Sequence, residues 1–360
     1  MGNIFIGDSN SKARKVTNAY VGIDGKARKV KAVYVGDANG KARLVWNSQS
    51  ALYGSVAHVS YNYLYLSRDY YMSTTAYRNE NEYMTCICFS GDRFYIGADD
   101  GKIFSFKDGT FTTLYAPTNN SWYIQGIVGM NKNIVAHYSN TAVVSLDGGS
   151  TWSEHTIGDS STGNIAPRGM ICDGKQFLCI SSSDGYLYTS PNGKTWTKGS
   201  YISTYYKYLF YANKRYYAAK DGAAGYQPYI YSTDSITWKN CSSSIGESWI
   251  PAGSDYTYHT VPTIDYINGA YTVVQVYPHV CPIGYSTDGI TFTTLRQNYP
   301  EGGSSWNSVN CGDRIIAFET PFKSTGVGVW QTTDGINWSK ISSNTNVYVT
   351  QFNNMAYANT

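Results

Sequence analysis

From about residue 51 onward the chain alternates short apolar runs with turn signals and more polar runs. The runs AVVS, LYTS, YIYS and GVWQT lead into SLDGGSTW (Ser145–Trp152), SPNGKTW (Ser190–Trp196), STDSITW (Ser232–Trp238) and TTDGINW (Thr332–Trp338). A fifth copy, STDGITF, covers Ser286–Phe292. Between these copies fall other apolar pairs broken by two-residue turns, such as GMICDGKQFLCI and IDYINGAYTVV, centred on Asp173-Gly174 and Asn268-Gly269. Short β-branched and aromatic runs bounded by Gly, Asn and Asp predict strands and hairpins. The pattern therefore predicts a repeated unit of four strands, A to D, with a tight A–B turn and an Asp-containing C–D turn.

The period decides the architecture. Turn centres at Asp147, Asn192, Asp234, Asp288 and Asp334 extend back to a weaker copy at Asp108 and a degenerate one at Asp69, with intervals of 39, 39, 45, 42, 54 and 46 residues. Repeats of about 40–50 residues, each one four-stranded sheet, are the signature of propeller blades. The fold class is all-β, a seven-bladed propeller; six blades, with the first unit outside the ring, is the alternative. The stretch VTQFNNMAYANT supplies an A–B pair at one end and YLYLSRDYYMSTT a C–D pair at the other, so one blade is expected to be shared between the termini. Closing the ring in this way removes exposed sheet edges.

In the motif itself, Asp and Ser side chains can hold turn N–H groups, Gly can take positive φ, and the last aromatic can pack beneath. Ser145, Asp147, Trp152, Asn192, Trp196, Asp234, Trp238, Asp288, Phe292, Asp334 and Trp338 are therefore expected to be structural.

Residues 1–46 follow a shorter period. Ile4–Val16, Ala19–Val30 and Val33–Val45 align at about fourteen residues, each reading as a β-hairpin. Residues 1–50 carry nine Lys or Arg against three Asp, a balance of +6, which leaves 19 basic against 22 acidic residues for the rest. The basic strip suits docking to another protein or a solvated face; nucleic acid is not expected, because no aromatic platform or groove-reading helix accompanies it. The division is thus 1–46, attachment, and 47–360, propeller.

Charged residues are 15% of the chain and aromatics 16%, with 35 Tyr and 35 Gly, a mixture that disfavours long helices. No run approaches the roughly 18 apolar residues of a membrane helix, and the first residues reach Gly and Asp too early for a signal peptide. Seven Cys without a CxxC are read as incidental thiols of a reducing compartment, Cys86 and Cys88 filling one strand face.

The five motif copies resemble the Asp-box of sialidases and other BNR-repeat propellers, over about residues 51–360. That resemblance implies that the motif lies on outer turns, away from the ligand funnel, and holds blades together. The N-terminal YVGIDGKARKVKAVYVGDANGKARLVW resembles short repeats of tail, baseplate and fibre-type proteins of bacteriophages and prophages of Gram-positive bacteria. It implies a virion protein, made in the bacterial cytoplasm and joined to other virion proteins through residues 1–46.

Catalysis is not expected. The Arg-Ile-Pro motif of sialidases is absent, Arg93, Arg215 and Arg314 fall at A–B turns, and the five His lack metal-ligand spacing. GxSxG, HExxH and P-loop motifs are missing, and neither cofactor nor metal is expected. Glu247, Asp255 and Asp265 are possible members of a hydrolytic carboxylate pair. The favoured site is instead aromatic: Trp122, Tyr123, Tyr201, Tyr205, Tyr206, Trp249, Tyr256, Tyr258 and His259 stand in loops rich in Ser, Gly and Asn, which suit a host-surface glycan. A virion adaptor without glycan binding and a sialidase-like hydrolase are the competing readings.

Overall fold

A computed structural model of the chain describes residues 52, 54–68, 74–79, 82–118, 122–158, 167–220, 229–243, 263–274, 283–296, 304–321, 327–344 and 355–358, with the backbone of six strands before residue 50. Those six strands pair as three antiparallel hairpins, Phe5–Gly7 with Ala13–Lys15, Tyr20–Ile23 with Lys26–Lys29, and Ala32–Gly36 with Ala42–Asn47.

The rest is a ring of seven four-stranded antiparallel blades, a seven-bladed β-propeller without helix among the described residues. Blade 2 shows the plan: A, Met84–Ser90; B, Arg93–Ala98; C, Ile103–Lys107; D, Thr110–Tyr115. Blades 3, 4, 5 and 7 repeat it from A strands at Gly126–Met130, Pro167–Cys172, Tyr206–Ala212 and Ser304–Asn310. In blade 6 (A strand Thr263–Ile267), Ser242–Ser243, just after the last strand of blade 5, adds parallel to the outer edge along Thr291 and Phe292. The A strands of successive blades lie side by side around the whole circle, from blade 1 to blade 7 and back.

Blade 1 closes the ring in a different proportion from the expected two strands plus two. Met355–Tyr357 is the A strand and pairs with Val56–His58, so the chain's end gives one strand and its beginning gives three: Val56–Ser60, Tyr63–Ser67 and Thr75–Arg78. The segment VAHVS, which follows a linker-like stretch, is the missed B strand. Gly54 N–H donates to Ala358 O and Ala358 N–H to Ser55 O, so pairing runs past the strand ends.

Alternation explains the packing. Successive side chains of a strand face opposite ways, so in the B strand of blade 2 Phe94 and Ile96 join a core with blade 1 while Tyr95 joins one with blade 3. Seven separate buried clusters result, one at each interface between blades, and their strands read as nearly continuous apolar runs because both faces are covered. Each fully buried Leu, Ile or Phe contributes about 1.5–3 kcal/mol.

Candidate binding face

Antiparallel order puts A–B and C–D turns on one face of the ring, and B–C turns and D–A connections on the other. The first face carries the five motif turns. In blade 3, Asp147 Oδ1 accepts from Ser150 and Thr151 N–H, Ser145 Oγ accepts from Gly149 N–H, and Trp152 Nε1 donates to Gly149 O. Asn192 repeats this with Lys194 and Thr195 N–H, and Trp196 Nε1 with Gly193 O. Asp234, Asp288 and Asp334 each accept from two turn N–H groups. Trp238 Nε1 donates to Ser235 O, Phe292 is fully buried, and Trp338 packs at the interface of blades 6 and 7 with its indole N–H unpaired.

These bonds stabilise the carboxylates. The Thr151 hydroxyl and N–H hold Asp147 far below the usual range. Asp234 is brought down to about 2 by the Thr237 and Ile236 N–H groups. At Asp288 and Asp334 slight burial pushes upward, but the turn donors outweigh it and leave both at about 2. The weaker copy at Asp108 is a different device: Asp108 and Gly109 both take positive φ and join C to D as a two-residue hairpin turn. Asp69 lies outside the described residues.

The motif turns also reach across interfaces. Tyr95 OH, in blade 2, donates to Gly148 O in the turn of blade 3, and Tyr217 OH, in blade 5, to Gly289 O in that of blade 6. Asn268 Nδ2 donates to Thr333 O between blades 6 and 7. These side chains are spent on blade packing.

On the face opposite the motif turns lie all six exposed large aromatics among the described residues: Tyr61 in the B–C turn of blade 1, Tyr83 between blades 1 and 2, Trp122 and Tyr123 between blades 2 and 3, and Tyr201 and Tyr205 between blades 4 and 5. The exposed aliphatics Leu146, Ile236 and Ile336 are on the motif turns instead. Tyr206 is a correction. It begins the A strand of blade 5 and packs into the core with blade 4 at 7% exposure, whereas its neighbour Tyr205 is 70% exposed. Trp249, Tyr256, Tyr258 and His259 lie outside the described residues, as do Glu247 and Asp255.

Tyr61 and Tyr83 carried no signal as a pair, being 22 residues apart in sequence, yet their rings meet edge to face at 6.2 Å. Beside them stand Glu82, Asp99 and Asp100, their carboxylate oxygens within 4.8 Å of one another. Lys102 Nζ bridges Glu82 and Asp100, so two of the three carboxylates already have a cationic partner. Burial raises the Glu82 carboxyl; at Asp100 burial pushes upward, but the Lys102 bonds win and lower it. No other such cluster occurs among the described residues.

Asp265 sits apart, on the A strand of blade 6. It accepts from Ser308 Oγ on the A strand of blade 7, and enclosure raises its carboxyl to about 6. His137, at the end of the B strand of blade 3, is buried with Nδ1 unpaired, and burial lowers it to about 4.

The ring, with its seven interfacial cores, defines the class: a seven-bladed β-propeller. No family model and no curated protein matches the chain. Solved propellers do. YCF48 from Cyanidioschyzon merolae is 14% identical with a TM-score of 0.58, covering 89% of this chain and 99% of its own. A protein from Lactobacillus plantarum is 12% identical with a TM-score of 0.58, over 81% and 96%. An ancestral GH74 enzyme is 13% identical with a TM-score of 0.56, over 86% of this chain and 46% of its own. At these identities the likeness is one of fold, and enzymes and non-enzymes share it.

Proposed function

We propose that this chain is a non-enzymatic virion protein of a bacteriophage or prophage, joined to the particle through residues 1–46, whose propeller recognises host-surface carbohydrate. One observation carries the binding part: the exposed large aromatics of the described ring are confined to the face opposite the motif turns. Planar rings on a rigid scaffold offer apolar area at low entropic cost, which suits the C–H faces of sugars. The motif turns, each with a Ser or Thr and an Asp or Asn accepting from turn N–H groups and a Trp or Phe after them, support the resemblance to Asp-box propellers. The basic hairpins support attachment to an acidic protein surface.

The non-catalytic reading rests on the acids. Glu82 and Asp100 are tied to one lysine and lie closer than the roughly 5–10 Å that separates glycosidase carboxyl pairs. Asp265 is bonded to a serine of the next blade. The test is binding of the full chain to isolated host cell-wall polysaccharide, with released sugar assayed in the same mixture. Binding without release, weakened at least fivefold by Trp122→Ala, is the expected outcome. Release of sugar would establish a hydrolase, and absence of binding to any host envelope would leave the adaptor reading.

A further inference from the structure

We infer that the sector of this face between blades 1 and 3 binds a saccharide bearing free amino groups, a reading that rests on the carbohydrate role proposed above. Four of the six exposed aromatics belong to this sector, and the backbone ties them together. Met84 N–H donates to Tyr61 O, Asp99 N–H to Tyr83 O and Ile124 N–H to Ala98 O. Gly101, with φ +83°, presses against the Trp122 carbonyl so closely that a Cβ there would lie 2.8 Å from it. Tyr61, Tyr83, Trp122 and Tyr123 thus flank one B–C turn, that of blade 2.

The charge of that turn selects the ligand. Glu82, Asp99 and Asp100 oppose the single ammonium of Lys102, which is already engaged with Glu82 and Asp100. Arg78, the cation on the neighbouring strand, lies over the Tyr63 ring, its guanidinium 5.9 Å from the centroid. Among the described residues, the exposed Asp99 is therefore the acid left to meet a ligand, beside aromatic rings whose faces also attract cations. An anionic polymer would be repelled, and a neutral one would gain only stacking. A glucosamine-type ring presents both a C–H face for the aromatics and an ammonium for Asp99. The Tyr201 and Tyr205 sector lacks this acid excess: Lys198 stands there over the Tyr186 ring and pairs one to one with Asp184.

The experiment measures binding of the full chain to a de-N-acetylated glucosamine hexamer and to its N-acetylated counterpart at low and high salt. The amino form should bind about fivefold to tenfold more tightly at low ionic strength, with the gap closing near 0.5 M salt. Asp99→Asn should remove that preference, a loss of about fivefold, without changing binding of the N-acetylated hexamer. Tyr61→Ala and Trp122→Ala should weaken both, and since all three side chains are exposed, unchanged melting temperatures confirm folding. Equal binding of the two hexamers, or preference for an anionic glycan, would overturn the inference while leaving the broader carbohydrate role intact. So would a lysine-rich peptide that displaces both hexamers and binds more tightly, which would assign the sector to a protein partner. If host wall polysaccharide binds but these variants change nothing, the sector is wrong; if no glycan binds at all, the carbohydrate role itself fails.

Discussion

Tyr217 and Gly289 join blades 5 and 6: the tyrosine hydroxyl, fully buried, donates to the glycine carbonyl at 2.9 Å, 72 residues further along the chain. The motif turn of blade 6 is thereby a socket for the B strand of blade 5. Gly289 has φ +67°, and a Cβ there would lie 2.6 Å from the Tyr217 oxygen and 2.3 Å from Arg215 Nη1. Tyr217→Phe should cost about 1 kcal/mol, and Gly289→Ala about 2–4 kcal/mol from strain and clash. Denaturant melts of the full chain check both; if Gly289→Ala proves the milder change, the socket is not a rigid one.

Asp334 should tolerate Asn better than Ala. Blade 4 already uses Asn192 to accept two turn N–H groups through Oδ1, as Asp334 does with Ile336 and Asn337. Asp334→Asn should cost about 1 kcal/mol at pH 7, from the lost charge and the weakened Asn337 Nδ2 bond to Oδ2, and Asp334→Ala about 2 kcal/mol. The sign with pH is fixed: a carboxylate at about 2 when folded stabilises the fold above its ordinary value of 3.8, and this is lost as pH falls from 3.8 towards 2. Chemical denaturation at pH 7 and at pH 2.5 should show the Asp–Asn difference moving in favour of Asn at the lower pH.

Much of the ring was legible because its turns are local. A Ser or Thr and an Asp or Asn two residues on close hydrogen bonds within their own turn, so the motif announces itself in the five blades that carry it. The strand Val56–Ser60 forms a local hairpin with Tyr63–Ser67, but its place as B strand rests on an A-strand partner 299 residues away, at Ala356 opposite Ala57. Tyr205 and Tyr206 show the limit at the binding face. Both stand in a Ser-, Thr- and Tyr-rich stretch, and only the onset of the A strand at Tyr206 turns the second ring into the core. The Tyr61–Tyr83 pair depends on how two blades dock, which no local pattern records.

His137 and Asp265 should pull stability in opposite directions across acid pH. His137 titrates at about 4 when folded against 6.5 when free, so the fold loses stability as pH falls from 6.5 to 4. Asp265 titrates at about 6 against 3.8, so its stabilising, protonated state is lost as pH rises from 3.8 through 6. Each effect is about 1–3 kcal/mol over its window. Asp265→Asn should therefore raise stability at pH 7.5 relative to wild type and lose that advantage at pH 4, while His137→Gln should flatten the decline between pH 6.5 and 4. Melting curves of both variants across pH 4–8 test this, and parallel curves would refute it.

The final strand should be indispensable to the ring. Met355–Tyr357 supplies the A strand of blade 1, and the A strands of blades 2 and 7 both lie against it. Ala356 and Ala358 are buried with Leu52 and Ala57 in the core between blades 1 and 2. Deleting residues 355–360 would leave Val56–Ser60 as an open, apolar edge, able to pair with any strand that reaches it. No surface substitution on blade 1 does this, so the deletion should differ in kind: loss of a single cooperative melt, concentration-dependent association, and recovery when a peptide spanning residues 350–360 is added. Monomeric behaviour with an unchanged transition would mean that six complete blades hold the circle without closure.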